Sequence, residues 1–160
     1  MNRTRLRFLL LLTIGDLQAQ VPMGVCELLG NGFEQRGRMV TVKGRLQTGP
    51  EEFALYAVDC KSVLETNGYK WPTAVWLTPP SGFPEEPVDF AVDKQAMEKF
   101  SRDLTKFRAA NPTARGVPVV VVGKFEFPRK FEGGVGANGR WVGNGYGHLN
   151  FYPGQIVLKS

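Results

Sequence analysis

Hydrophobic positions recur along this chain with two periods, and the change from one to the other marks out the elements. Val25, Leu28 and Leu29 have helical spacing ahead of Gly30-Asn31-Gly32, which predicts a short helix stopped by glycine. From Met39 to Leu46 the period drops to two. Val40, Val42 and Gly44 fall on one face, and Thr41, Lys43 and Arg45 on the other, as in a half-buried strand. A glycine inside such a strand predicts a bulge or sharp bend, which a strand needs to coil around a small barrel. After a turn at Thr48-Gly49-Pro50, Glu52 to Val58 predicts a second strand with Phe53, Leu55 and Ala57 on one side. Thr73 to Leu77 predicts a third, carrying Trp76.

Pro79 to Pro87 is proline-rich and reads as a loop. Met97, Phe100, Leu104 and Phe107 then follow a helical stripe. They predict an amphipathic helix over 93–110, with Asp93 as N-cap and Asn111-Pro112 as terminator. Val117 to Phe127 is the strongest strand signal, apolar in its first half and alternating in its second. Glu132 to Gly147 holds seven glycines with Trp141 and Tyr146 interleaved. It shows no packed-core period and predicts a flexible loop or irregular hairpin tip. His148 to Lys159 predicts a last strand, broken at Pro153-Gly154.

The order is therefore a short helix, three strands, a helix and two strands. A helix between the third and fourth strands of five is the layout of the OB-fold, a partly open Greek-key barrel. The expected fold is mainly β: a five-stranded OB-fold-like barrel with a short N-terminal helix. About 140 residues beyond the leader suffice for one core and one domain, 20–160.

The leader itself spans 1–19. Arg3, Arg5 and Arg7 precede an apolar run from Phe8 to Ile14, and Leu17-Gln18-Ala19 offers a cleavage site. That is the layout of a secretory signal peptide, and the run is far shorter than the ~20 residues that span a bilayer. Export to the periplasm or beyond is expected, with a mature start near Gln20 and no later stretch apolar enough to span a membrane. The whole chain has 20 Lys and Arg against 15 Asp and Glu, a net charge of +5. Removing the leader's three Arg and Asp16 lowers this to +3, so the basic balance is a weak argument for nucleic acid. Cys26 and Cys60 are an even pair, simplest as a disulfide in an oxidising compartment. Free thiols, or zinc held with Asp59 and His148, are the alternatives. No C-x-x-C spacing supports zinc, and Met23-Gly24-Val25 before Cys26 does not follow the apolar core as a lipobox would.

Three segments carry a resemblance: Cys26 to Leu29, Gly37 to Gly44, and Gly145-Tyr146-Gly147-His148-Leu149 running on to Tyr152-Pro153-Gly154-Gln155-Ile156-Val157. Through them the chain resembles exported bacterial OB-fold-like proteins of unassigned function with a C-terminal G-x-G-H-L-x-x-Y-P motif. The resemblance implies fold and compartment and transfers no catalytic residues.

His148 is the sole histidine, and no serine stands in a G-x-S-x-G elbow. A structural histidine bonding backbone beside the glycine run is expected ahead of an acid–base role. The glycines lack the spacing of a phosphate loop. Glu85-Glu86 and Asp89 sit in a proline-rich loop and have no second carboxylate to pair with across a sugar. Arg45, Trp71, Arg140, Trp141, Tyr146 and His148 remain as candidate ligand contacts, because OB-folds bind on the face of strands 2 and 3 and the adjoining loops. The plainer alternative places the aromatics in the core and the cations in solvent. The expected function is a non-catalytic binding or structural module of the bacterial cell envelope, without cofactor, for an envelope protein, peptide or glycan. A small hydrolase or metal-dependent enzyme centred on His148 is the second possibility. Single-stranded nucleic acid binding is the third.

Overall fold

The computed structural model describes residues 21–160, apart from 59, 62, 63, 82, 83 and 86. The leader 1–19 and the zinc candidate Asp59 therefore lie outside the described residues. In chain order the elements are β1 (Met23–Gly24), α1 (Val25–Gly30), α2 (Gly32–Gln35), β2 (Met39–Gly49), β3 (Glu52–Tyr56), β4 (Glu65–Thr66), β5 (Tyr69–Lys70) and β6 (Ala74–Thr78). Then follow α3 (Lys94–Ala110), β7 (Val117–Glu126), β8 (Gly133–Val135), β9 (Trp141–Gly143), a 3₁₀ turn over His148–Asn150, and β10 (Gln155–Leu158).

Five strands close into a barrel in the order β2-β3-β6-β10-β7, with β7 returning to β2. All contacts are antiparallel except β6 with β10, which run parallel. This is the OB-fold topology expected from the element order, with α3 between the third and fourth barrel strands. The ring closes because β2 serves two neighbours. Its first half, Met39 to Leu46, pairs with β7, and its second, Arg45 to Gly49, pairs with β3. Gly44 sits where the strand changes partner. A Cβ there would stand 2.7 Å from both Leu55 Cγ and the Tyr56 carbonyl oxygen, so only glycine lets β3 approach so closely.

The period-two pattern of β2 holds as expected: Val40, Val42, Gly44 and Leu46 point inward and are buried, while Lys43 and Arg45 are exposed. They meet Leu55, Val75, Leu77, Val121, Phe125, Ile156 and Leu158 in one core. The barrel end where β6 and β10 begin is plugged by rings. Trp71 lies 4.9 Å from Phe131 and 5.0 Å from Trp141 between centroids, and Phe127 lies 5.3 Å from Phe131. Val25, Leu28 and Leu29 of α1 join the same core, as their spacing predicts.

The opposite end is covered by α3. Asp93 caps it, its carboxylate accepting from the Ala96 N–H at 2.9 Å. The expected stripe of Met97, Phe100, Leu104 and Phe107 faces the barrel, but no residue of α3 is fully buried. The helix lies over the mouth instead of sinking into it. A cavity of about 190 Å³ remains between Met97 and Phe100 and the barrel residues Leu46, Phe53, Leu77 and Val121.

Cys26 of α1 and Cys60 stand at disulfide distance, with Cα atoms 6.3 Å apart and 34 residues between them in sequence. Reduction should cost about 3–4 kcal/mol, the chain-entropy value for a loop of that size. Denaturation with and without reductant checks it, and two thiols freely alkylated before reduction would refute the bridge. Phe125→Ala should cost about 3–5 kcal/mol, and Phe100→Ala about 1–2 kcal/mol because its ring is only half-buried. Equal losses in urea denaturation would place the helix in the core after all.

Candidate functional site

The connection from β7 to β10 builds the site. Its first part is not the loose loop expected from its glycines. β8 and β9 pair as a hairpin, with Gly133 opposite Gly143 and Val135 opposite Trp141. Asn144 ties the hairpin base, accepting from the Glu132 N–H and donating to the Lys130 carbonyl, both at 2.8 Å. The indole of Trp141 is buried in the aromatic plug and donates to the Asn144 carbonyl at 2.7 Å.

The second part, 145–152, folds back over the barrel wall. Tyr146 and Tyr152 bridge through two backbone hydrogen bonds of 2.8 and 3.1 Å. Between them the chain makes its 3₁₀ turn, with Leu149 and Asn150 at positive φ. Gly147 has φ +70°, and a Cβ on it would stand 2.6 Å from the Trp76 indole. This segment packs on the outward faces of β3 and β6, where Ala54 and Ala74 form a small cluster with Tyr146 and Tyr152. The roof is pinned by polar contacts as well. The Tyr56 hydroxyl donates to Glu52 Oε1 at 2.6 Å and lies 3.3 Å from the Tyr152 hydroxyl. Burial first, then the bond to Glu52, pushes the Tyr56 hydroxyl well above the usual tyrosine range, and burial also raises that of Tyr152. The face of strands 2 and 3 on which an extended ligand was expected thus carries the chain's own 145–152.

Beside this roof, over β6 and β10, lies a recess of about 340 Å³ lined by Trp76, Thr78, Glu85, Tyr146, Asn150 and Gln155. Thr78, Gln155 and the neighbouring Glu126 are buried although their strand positions point outward. Glu126 Oε2 accepts from the Glu85 backbone N–H at 3.0 Å and from Gln155 Nε2. Tyr146 is 5% exposed, and its hydroxyl faces the Glu85 carboxylate without making a hydrogen bond of normal geometry. Burial, then the carboxylates of Glu85 and Glu126, hold its proton well above the ordinary tyrosine range, and Arg36 acts in the opposite sense.

The six candidate contacts do not converge. Trp71 and Trp141, at 1% and 4% exposed, pack in the plug and do not present their rings outward. Arg45 is exposed on β2 and reaches the Gly116 carbonyl at 3.4 Å. Arg140 stands over the Phe151 ring, 5.7 Å from its centroid. His148 lies at the surface with Nε2 3.4 Å from Glu51 Oε2. Tyr146 alone reaches the recess. Sequence reasoning placed Trp76 with the core aromatics; it missed Glu126, Gln155 and Thr78 because period-two alternation assigns them to solvent. Only the roof takes them out of it. Among the described residues no group of three His, Cys, Asp or Glu could hold a metal ion, and Glu86 lies outside them. No family model, curated protein or solved structure matches the chain.

Gly147→Ala should destabilise the protein by about 1–3 kcal/mol, because it adds both a steric clash with Trp76 and a strained φ. Thermal melting checks it. An unchanged midpoint would mean that 145–152 does not rest on the barrel wall.

Proposed function

We propose that this chain is an exported, non-catalytic OB-fold module of the bacterial cell envelope that binds its ligand in the recess between β6, β10 and the 145–152 roof. The observation that carries this is the buried Tyr146 hydroxyl, which opens on a 340 Å³ space beside the Glu85 carboxylate and makes no hydrogen bond of normal geometry. Native interiors seldom leave a polar group so, and a concave site with a few convergent polar groups is the usual form of a binding pocket. An envelope protein, a peptide or a glycan are the ligand sources that export favours.

Two observations weigh against the other classes. His148 pairs with the Glu51 carboxylate at the exposed rim, where an acid–base group is not enclosed from water. The strand 2–3 face that OB-folds offer to single strands is covered by Tyr146, Tyr152 and Phe151. Export rests on the leader, and no helix among the described residues is long and apolar enough to cross a membrane.

Fractionation of cells expressing the full chain should find the protein outside the cytoplasm with Gln20 at its N-terminus. Cytoplasmic protein retaining the leader would refute export. His148→Gln should fold with a stability loss within about 1 kcal/mol, as for an exposed ion pair, and bind like the parent. An ester- or peptide-cleaving activity that this variant abolishes would overturn the non-catalytic assignment.

A further inference from the structure

Charge and hydrogen-bonding capacity in the recess select among ligands. Its polar wall is largely carboxylate and hydroxyl: buried Thr78 and Tyr146 line it with the exposed Glu85 at its mouth, and Glu126 lies directly behind, joined to it through Gln155 and the Glu85 backbone. The nearby cations are Arg36, which acts on Tyr146 from a distance, and Lys124, two residues before Glu126 on the same outer face of β7 and engaged with a partner of its own. The carboxylates outweigh Arg36 at the Tyr146 hydroxyl, since the net electrostatic influence there favours the protonated phenol. An anion entering the recess would meet Glu85 and Glu126, and no cation lines the walls among the described residues. A group rich in N–H donors meets acceptors: the Tyr146 oxygen, the Glu85 carboxylate and the Thr78 hydroxyl. The Trp76 indole adds an aromatic wall for attached methylenes.

We propose that the recess beneath Tyr146 is a binding site for a compact cation with N–H donors, an alkylammonium or guanidinium group. This rests on the proposal of a binding module and adds the ligand class. The volume, about 340 Å³, accommodates one such head with a short alkyl stem. Ammonium and guanidinium groups form the stronger, charge-assisted class of hydrogen bond, and they do so best away from bulk water. The head has two sources, a free small amine or the Lys or Arg side chain of a peptide.

The test is an amide NMR titration of the mature protein, purified after export, with n-butylammonium, methylguanidinium, n-butanol and butyrate as probes. The two cations should saturably shift the amides of Gly145, Tyr146, Gly147 and Gln155, and the neutral and anionic probes should leave them in place. Tyr146→Phe should weaken the cation by roughly tenfold, as expected for one hydrogen bond to a charged group, with the fold retained. Glu85→Gln, on an exposed loop residue at the mouth of the recess, gives a second variant with the same expected direction. A capped lysine tripeptide that binds more tightly than butylammonium supports a peptide source, and equal binding supports a free amine. Butyrate or butanol shifting the same amides as strongly would overturn the cation class while leaving a binding module in place. No shift with any probe, or full affinity in both variants, would overturn the site itself. A catalytic activity lost in His148→Gln would instead overturn the module assignment, whatever the recess binds.

Discussion

A five-stranded ring closes only when its first strand can leave one partner and take up another. In this chain that demand falls on β2 at Gly44. Before it, β2 pairs with β7 alone; Arg45 and Leu46 then pair with both neighbours, and the strand ends on β3 alone. Backbone polar groups in a buried wall must be paired, so the ring cannot open at this point without exposing two ladders. A side chain at Gly44 would push against Leu55 and the Tyr56 carbonyl together. The core, the aromatic plug at one end and α3 over the other all presuppose that closure, because each packs against residues from several strands.

The roof over β3 and β6 is the second consequence of close approach. Ala54 and Ala74 offer almost no side chain on the outward face, and Gly147 offers none toward Trp76. The backbone of 145–152 can therefore lie nearly on the strands. Its tyrosines then supply the apolar area that the alanines lack, with ring contacts such as Trp76 to Tyr152 at 5.4 Å between centroids. A surface that small OB-folds use for extended ligands becomes an interior contact. The space left over is the recess at its border, closed on one side by the roof and on the other by the outward side chains of β6 and β10.

How much of this the sequence discloses follows from the kind of signal each part leaves. The alternation in β2, the apolar run of β7 and the stripe of α3 are local, and they placed the barrel and its helix correctly. Gly44 was legible too, because a glycine inside a strand is rare enough to need a reason. The glycine-rich connection was not. Its order rests on partners far away in sequence, such as Asn67 bonding the Gly133 carbonyl at 2.9 Å and Trp141 entering the plug beside Trp71. No period reports a contact made across 70 residues. The same holds for the recess. Glu126 and Gln155 occupy outward strand positions, and alternation reads such positions as solvated. Of the six candidate contacts only Tyr146 reached the site, and it did so as a member of a loop.

The three tyrosines on this face separate what the fold needs from what it leaves over. Tyr56 is partly buried and Tyr152 is buried, and both hydroxyls are accommodated: they lie against each other and against the single carboxylate of Glu52. Tyr146 is the most buried of the three and is treated differently. It belongs to the same roof, its backbone is bonded to Tyr152, and its ring packs in the same cluster. A phenylalanine would serve those contacts equally well. The hydroxyl is therefore the one atom of Tyr146 that the roof does not use. It points to the border recess, beside Glu85 and in front of Glu126, whose carboxylate accepts from Gln155 and the Glu85 backbone. Packing accounts for the ring of Tyr146, and the proposed ligand would give its oxygen a role beside Glu85.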